Sequence, residues 1–516
     1  MGLLALQRFL SLRRGRRRRQ TRARGTSIAS VAKRKGSPCE QGDSSQDGKR
    51  MRLSGPDLPM DIWHHISSLL PMRDAARASC VSCAFECSWR YYPNLTFCTS
   101  KMSLNGQHFV NKVDQIMKKH SGIGMKTFEF EYNGPCFDTS KLNDWLQIAV
   151  TSGIEELDIS LYPANKIEHY NFPCSLLFSG SGGNSIRTLD LSGCAFHPMA
   201  GLGCLTRLYL LSVHITQDEL GCILSGSFAL EKLHLTECSD IVCLKIPCLL
   251  HRLSELKVSD CDALKVIENK APNLRTVSID SYIVHHSIGD SLRVKDLEMF
   301  CFSKFNLIHH ACAKLPACMP NLETLSIHST CEMFSTPSAP LEFFHLKQLE
   351  IRLDAESGAF SPNSDYFSLV VFLGACPILE TFRLEVIQTR MKHVSVLQDS
   401  SHLRQIPGLQ HGNIKKVEII GFCSGKSMVE LTCHILENAT SLECLTLDTI
   451  SGGIGIGDVD AYRLKRHKFG ECFSEGRNMI VEAHKAVLAV ERHVMVKVPS
   501  TVKLNVIKPC SRCHVV

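Results

Sequence analysis

From residue 154 onward, the apolar positions of the chain follow one motif, apolar-x-x-apolar-x-apolar. It starts at Ile154, Ile186, Leu205, Leu230, Leu253, Leu274, Val294, Leu322, Leu346, Leu379, Ile414 and Leu442. These twelve starts lie 19 to 35 residues apart. The alternation that closes each unit predicts one short strand with a buried and an outward side. A single unit cannot bury its apolar face, so the units must stack in parallel into a solenoid, and the fold class is α/β. The longer gaps after Leu346 and Leu379 predict surface loops at Ser361 to Asp365 and at Gln398 to Asn413.

Three units carry the pattern further. Cys194, Cys238 and Cys261 each follow the last apolar position by three residues, in LSGC, LTEC and VSDC. This is the L-x-x-L-x-L-x-x-N/C signature of leucine-rich repeats, in which the last residue sits inside the coil and bonds the turn backbone. The residue between the final two apolar positions points the other way, to the concave face. Read along the chain, that file is Asp158, Asp190, Tyr209, His234, Lys257, Ser278, Glu298, Ser326, Glu350, Arg383, Glu418 and Thr446. Of these, Asp190, Tyr209, His234, Lys257, Glu298, Glu350 and Arg383 are the candidate substrate-binding residues. Their mixed chemistry suits a protein or peptide and contains no catalytic or metal-binding constellation. A solvated face without a dedicated ligand is the other possibility.

Ahead of the repeats, Leu58, Ile62, Ile66, Leu69 and Leu70 recur at helical spacing. Pro59 suits a first helical turn, and Pro71 ends the pattern. A second helix is predicted from Asp74, with Ala75, Ala78, Val81 and Phe85 on one face. These faces are too small to fold alone and must pack on a neighbour or a partner. Leu58-Pro59, Asp61-Ile62, Ile66, Leu69-Leu70-Pro71, Asp74-Ala75, Val81-Ser82 and Trp89-Arg90, followed by Tyr92 to Phe97, resemble the F-box of plant F-box/leucine-rich-repeat proteins. The resemblance implies that this stretch binds a Skp-type adaptor and, through it, a cullin–RING ubiquitin ligase. It places the adaptor contacts at Leu58, Pro59, Ile62, Ile66, Leu69, Leu70, Pro71, Ala75, Ala78, Val81, Phe85 and Trp89. Cys83, Ala84 and Phe85 stand where many family members have basic residues and Trp.

Between these parts, Phe109, Val113, Ile116 and Met117 predict a helix, Met125 to Tyr132 a strand, and Leu142, Trp145, Leu146, Ala149 and Val150 a second helix. Trp145 is assigned to the core. The segment would cover the apolar end of the solenoid.

Charge refines the picture. The chain of 516 residues carries a formal charge of +7, but residues 1–55 hold 15 Lys/Arg against three Asp/Glu. The body is therefore slightly acidic and has no overall nucleic-acid signature. The leader, with Arg13-Arg14-Gly15-Arg16-Arg17-Arg18-Arg19, Lys33-Arg34-Lys35 and Lys49-Arg50, is expected to be disordered by like-charge repulsion. Nuclear import, an organelle transit peptide, nonspecific nucleic-acid contact and a plain solvated tail all fit it. The 25 cysteines are scattered among apolar positions and do not resemble a disulfide framework, which fits a nuclear or cytoplasmic setting. No apolar run reaches the roughly 18 residues of a membrane span.

Beyond the last repeats, Met428, Leu431, Ile435 and Leu436 predict a helix opened by Lys426-Ser427, and Val502, Leu504 and Val506 alternate. Residues 405–516 resemble the FBD-like C-terminal region of the same plant proteins. Cys510-Ser511-Arg512-Cys513-His514 has the C-x-x-C-H spacing of haem attachment, yet no maturation route or further zinc ligands accompany it. Gly453-Ile454-Gly455-Ile456-Gly457 lacks the rest of a phosphate-binding loop.

The expected organisation is a leader over 1–55, an F-box over 56–97, a linker and solenoid cap over 98–153, leucine-rich repeats over 154–447 and an FBD-like α+β cap over 405–516. The expected role is non-catalytic and cofactor-free: substrate recognition for a ubiquitin ligase, in the nucleus and/or cytoplasm. The alternative is an interaction scaffold whose F-box no longer recruits a ligase.

Overall fold

The computed structural model describes residues 58–80, 83–102, 106–134, 138–151, 153–163, 170–178, 185–280, 293–301, 306–330, 332, 334, 340–355, 358–398, 402–450 and 476–511. The basic leader, Val81 and Ser82, Gly453 to Gly457, and Arg512 to His514 lie outside them.

Each of the twelve motif starts opens a strand, and all twelve strands belong to one sheet in chain order. The sheet counts 15 strands among the described residues, and its pairings are parallel. The motif explains the packing. In Arg207–Leu211, Leu208 and Leu210 are buried while Tyr209 between them is half-buried on the other side. The same alternation in neighbouring strands joins the apolar files into one continuous core.

Three strands of this sheet lie outside the motif. Asn94–Cys98 and Thr127–Gly134 precede it, and Lys503–Ile507 follows it by pairing with Cys444–Asp448. The FBD-like tail thus closes the array by prolonging the same sheet. Helices Gly106–Met117 and Thr139–Thr151 cover the first strands, with Trp145 buried against Phe130 at 5.5 Å between ring centroids.

A left-handed residue ends several early strands: Gly193, Ser212, Glu237 and Asp260 have φ of 69°, 50°, 55° and 54°. The first three donate their N–H to the carbonyls of Leu211, Thr236 and Ser259, at 2.8–3.0 Å, which stitches successive turns together. At the fourth, the Asp260 N–H finds the Asp280 carboxylate instead. The turn then sends Cys194, Cys238 and Cys261 inward, where all three are buried. Cys238 bonds the Thr236 carbonyl at 3.6 Å and Cys261 the Ser259 carbonyl at 3.5 Å, as the repeat signature predicts. Gly193 is the tightest of these turns, because a Cβ there would stand 2.1 Å from the Leu161 carbonyl oxygen. Gly193→Ala combines a left-handed backbone with that clash, so it is expected to cost about 1–3 kcal/mol, read as a lower urea midpoint.

Three expectations need correction. The second N-terminal helix is Met72–Ser79 and is flanked by Pro71, not opened by Asp74; Phe85 belongs to a separate helix, Cys83–Trp89. At the end of Met72–Ser79, the Ser79 hydroxyl and the Cys80 thiol both bond back to the Ala76 carbonyl, competing with helix continuation. The helix Lys426–Asn438 is not amphipathic in its setting: Ser427 to Leu436 are all buried, Glu430 and His434 included. The gap segments near Asp365 and Arg404 are not free loops, because a bidentate ion pair ties them together at 2.8 Å.

Candidate docking and recognition surfaces

The N-terminal helices Met60–Leu69, Met72–Ser79 and Cys83–Trp89 form a small module with its own interior. Trp63, absent from the sequence-based candidates, is buried and meets Phe85 edge-on at 5.0 Å. Its signal was available: it lies three residues before Ile66, on the neighbouring helical stripe. Ala75 is fully buried, Trp89 is buried and stacks on Tyr92 at 5.4 Å, and Leu70 packs against the main core. Ala75, Trp89 and Leu70 thus tie the module to the solenoid core, and Phe85 packs within the module. Three short helices need an interior before they can offer a face. Ile66 and Ala78 are half-buried, and Val81 lies outside the described residues.

Several large apolar side chains remain outward beside the charged ones. Leu58 is 38% exposed, Met60 43%, Ile62 41% and Leu69 71%, and Pro59 and Pro71 are exposed beside them. Met60 was missed because it falls between the helical positions counted in the sequence. Large apolar side chains left exposed on a folded module mark a place for a partner.

The module is fastened to the solenoid by polar contacts. The Tyr92 hydroxyl donates to the Leu70 carbonyl at 2.8 Å. His120 Nδ1 accepts the Gly122 N–H at 3.0 Å, so its Nε2 carries the proton and donates to the Tyr92 carbonyl at 2.9 Å. Burial lowers the His120 pKa and keeps the ring neutral, which this two-sided bonding requires.

The second surface is the outward file of the sheet. Register places Asp190, Tyr209, His234 and Lys257 opposite one another on successive strands. Through Ser278 the file continues to Glu298, Ser326, Glu350 and Arg383. All seven candidates thus share one row, and each is half-buried. His234 Nε2 donates to the Glu255 carboxylate at 2.7 Å, and the ring packs on Tyr209 at 4.7 Å between rings. The bond from His234, together with Lys232, holds the Glu255 carboxyl at about 2, against its desolvation.

Arg383 lies 3.4 Å from Glu350, 3.8 Å from Glu418 and 4.0 Å from Glu385. A second outward row, Phe300, His328, Arg352 and Glu385, runs beside it and was missed, because these residues follow the motif instead of standing within it. Arg352 reaches Glu385 at 3.9 Å. His328 stands 3.7 Å from Glu298, yet burial, with Arg352 and Arg383 nearby, depresses its pKa to about 4, so the contact is no ion pair near neutrality. The surface is a partly desolvated polar lattice suited to hydrogen bonding with a polypeptide. Among the described residues, no group of three or more His, Cys, Asp or Glu could hold a metal ion, and no helix is long and apolar enough to cross a membrane.

A small helical module with exposed apolar side chains, joined to a parallel leucine-rich solenoid, defines an F-box/leucine-rich-repeat protein. Residues 56–95 match the F-box domain, and residues 116–511 match the family described as At1g61320/AtMIF1, LRR domain. The chain belongs to this plant family, whose members typically are non-catalytic. It is similar to the FBD-associated F-box protein At1g66310 of Arabidopsis thaliana, 24% identical over 435 residues, 76% of this chain and 89% of the relative. The F-box/FBD/LRR-repeat protein At1g78750 of the same plant is 23% identical over 447 residues, 77% of this chain and 92% of the relative. Both domains are protein-interaction modules, and an F-box in general binds a Skp-type adaptor.

Proposed function

We propose that the chain is a substrate-recognition subunit of a Skp–cullin–F-box ubiquitin ligase. The observation that carries this reading is the exposure of Leu58, Met60, Ile62 and Leu69 on a module in which Trp63, Phe85 and Ala75 are already packed. These exposed apolar side chains dock the adaptor, and the concave file from Asp190 to Arg383 holds a target protein. The chemistry is proximity: a held target meets the ubiquitin-loaded enzyme at high effective concentration. No residue of this chain then needs to react. The basic clusters of the leader support work in the nucleus and/or cytoplasm.

The test is a pull-down of purified full-length protein with a Skp-type adaptor. Leu58→Ala/Pro59→Ala is expected to lose at least tenfold in retained adaptor while melting at the wild-type temperature, since both side chains are exposed. Wild-type protein that is folded and retains no adaptor would leave the interaction scaffold as the function.

A further inference from the structure

Successive repeats also line up the residues just before each strand, along the rim where the strands begin. At four neighbouring strands, Thr276–Asp280, Asp296–Cys301, Thr324–Thr330 and Gln348–Asp354, this rim opens into a cleft of ≈ 440 Å³. Arg275, Arg293, Lys295 and Lys347 line it together with Glu323, and the residues that line it are polar throughout. Lys295 and Lys347 share Glu323, at 2.5 and 3.2 Å, and Arg275 pairs with Asp296 at 3.3 Å. Arg293 bonds the neutral Asn273 side chain at 3.2 Å and meets no carboxylate among the described residues. Four cations thus face two carboxylates, and the cleft is left with two positive charges in excess.

We infer that this rim cleft binds a phosphate monoester on a serine or threonine of the protein held by the concave face. A phosphate dianion matches the surplus charge, and an arginine fork with flanking lysines matches its oxygens. The cleft spans about 14 Å across four strands and stays open to solvent. A free small molecule is usually enclosed on most of its surface, whereas a group carried by a docked protein needs no enclosure of its own. Among the described residues, no carbocyclic aromatic or aliphatic hydrocarbon side chain lines it to hold a tyrosine ring. The concave row is near: Ser278 and Glu298 lie three residues beyond the rim residues Arg275 and Lys295, about 10 Å along the strand. The inference rests on the recognition role proposed above for the nature of the partner, and on the rim geometry for the phosphate.

The experiment passes a degenerate phosphoserine/phosphothreonine peptide library, and its unphosphorylated twin, over immobilised full-length protein at fixed ionic strength. Arg293→Gln/Lys347→Gln is run beside wild type, both side chains being exposed. Wild type is expected to retain the phosphorylated library at least tenfold over its twin, and the double variant to lose that preference while melting normally. Equal retention of the two libraries, or a preference that survives the double variant, overturns the inference. Binding of inorganic pyrophosphate without retention of the phosphorylated library overturns it too, in favour of a free anion. Adaptor pull-down is measured on the same samples, so loss of adaptor docking is told apart from loss of phosphate recognition.

Discussion

Arg404→Ala is expected to lower the unfolding free energy by about 2–4 kcal/mol, seen as a reduced urea midpoint. The guanidinium makes two parallel bonds of 2.8 Å to Asp365 and a third of 2.8 Å to Glu430. The Arg404 backbone N–H gives Glu430 a further bond at 2.9 Å, and the guanidinium lies 4.8 Å over the Phe367 ring. Through this one residue, segment 402–413 holds both the turn Tyr366–Ser368, capped by Asp365, and the helix Lys426–Asn438. Glu430 is fully buried, so alanine at 404 strands its charge. Breaking a wholly buried pair costs roughly 3–5 kcal/mol. The range here is set lower because the Arg404 side chain is 49% exposed, which leaves water a path to Glu430. Glu430→Gln alone removes the charge and should cost less. In Arg404→Ala/Glu430→Gln the two losses should fall short of adding by about 1–2 kcal/mol, since the stranded charge is gone. Strictly additive losses would show that the pair is not coupled.

That hub also shows where the sequence stops being legible. The twelve strands were readable because each is set by a local alternation, and Leu208, Tyr209 and Leu210 need no distant partner to choose their sides. The cysteine turns were readable for the same reason, from nine-residue signatures ending at Cys194, Cys238 and Cys261. Asn94–Cys98 was not recognised as a strand because it is short and continues straight from the helical module. Arg404 meets partners 39 and 26 residues away, inside a stretch whose composition alone reads as loop. In the helical module, Leu58, Ile62 and Leu69 are exposed. Helical spacing could not separate them from Ala75 and Trp89, because the division between partner-facing and inward-facing residues depends on how three helices lean on one another.

The response to acid should expose an internal balance of buried charges. Burial, with Arg352 and Arg383 nearby, depresses the His328 pKa to about 4, and burial beside His434 brings His411 to about 4. A depressed histidine stabilises the fold fully above its ordinary value near 6.5, and that stability is lost as pH falls toward 4. Two carboxyl groups act in the opposite sense. Burial raises Asp280 to about 7, and it raises Glu332 to about 7 even though Glu332 accepts the Leu307 and Ile308 N–H groups at 3.2 and 3.3 Å. Their stabilisation is full below the ordinary carboxyl range and is lost as pH rises toward 7. From these four groups the wild-type protein should show only a shallow pH dependence between 7 and 4. Each group alone is worth about 3 kcal/mol over that window. Glu332→Gln is therefore expected to be more stable than wild type at pH 7, to converge with it at pH 4, and to lose stability steeply on acidification. His328→Asn should tilt the other way, gaining on wild type as pH falls. Urea titrations of the three proteins at pH 7, 5.5 and 4 measure the slopes. Parallel curves for wild type and Glu332→Gln would mean that Glu332 stays ionised in the fold, held by the two helix N–H groups it caps.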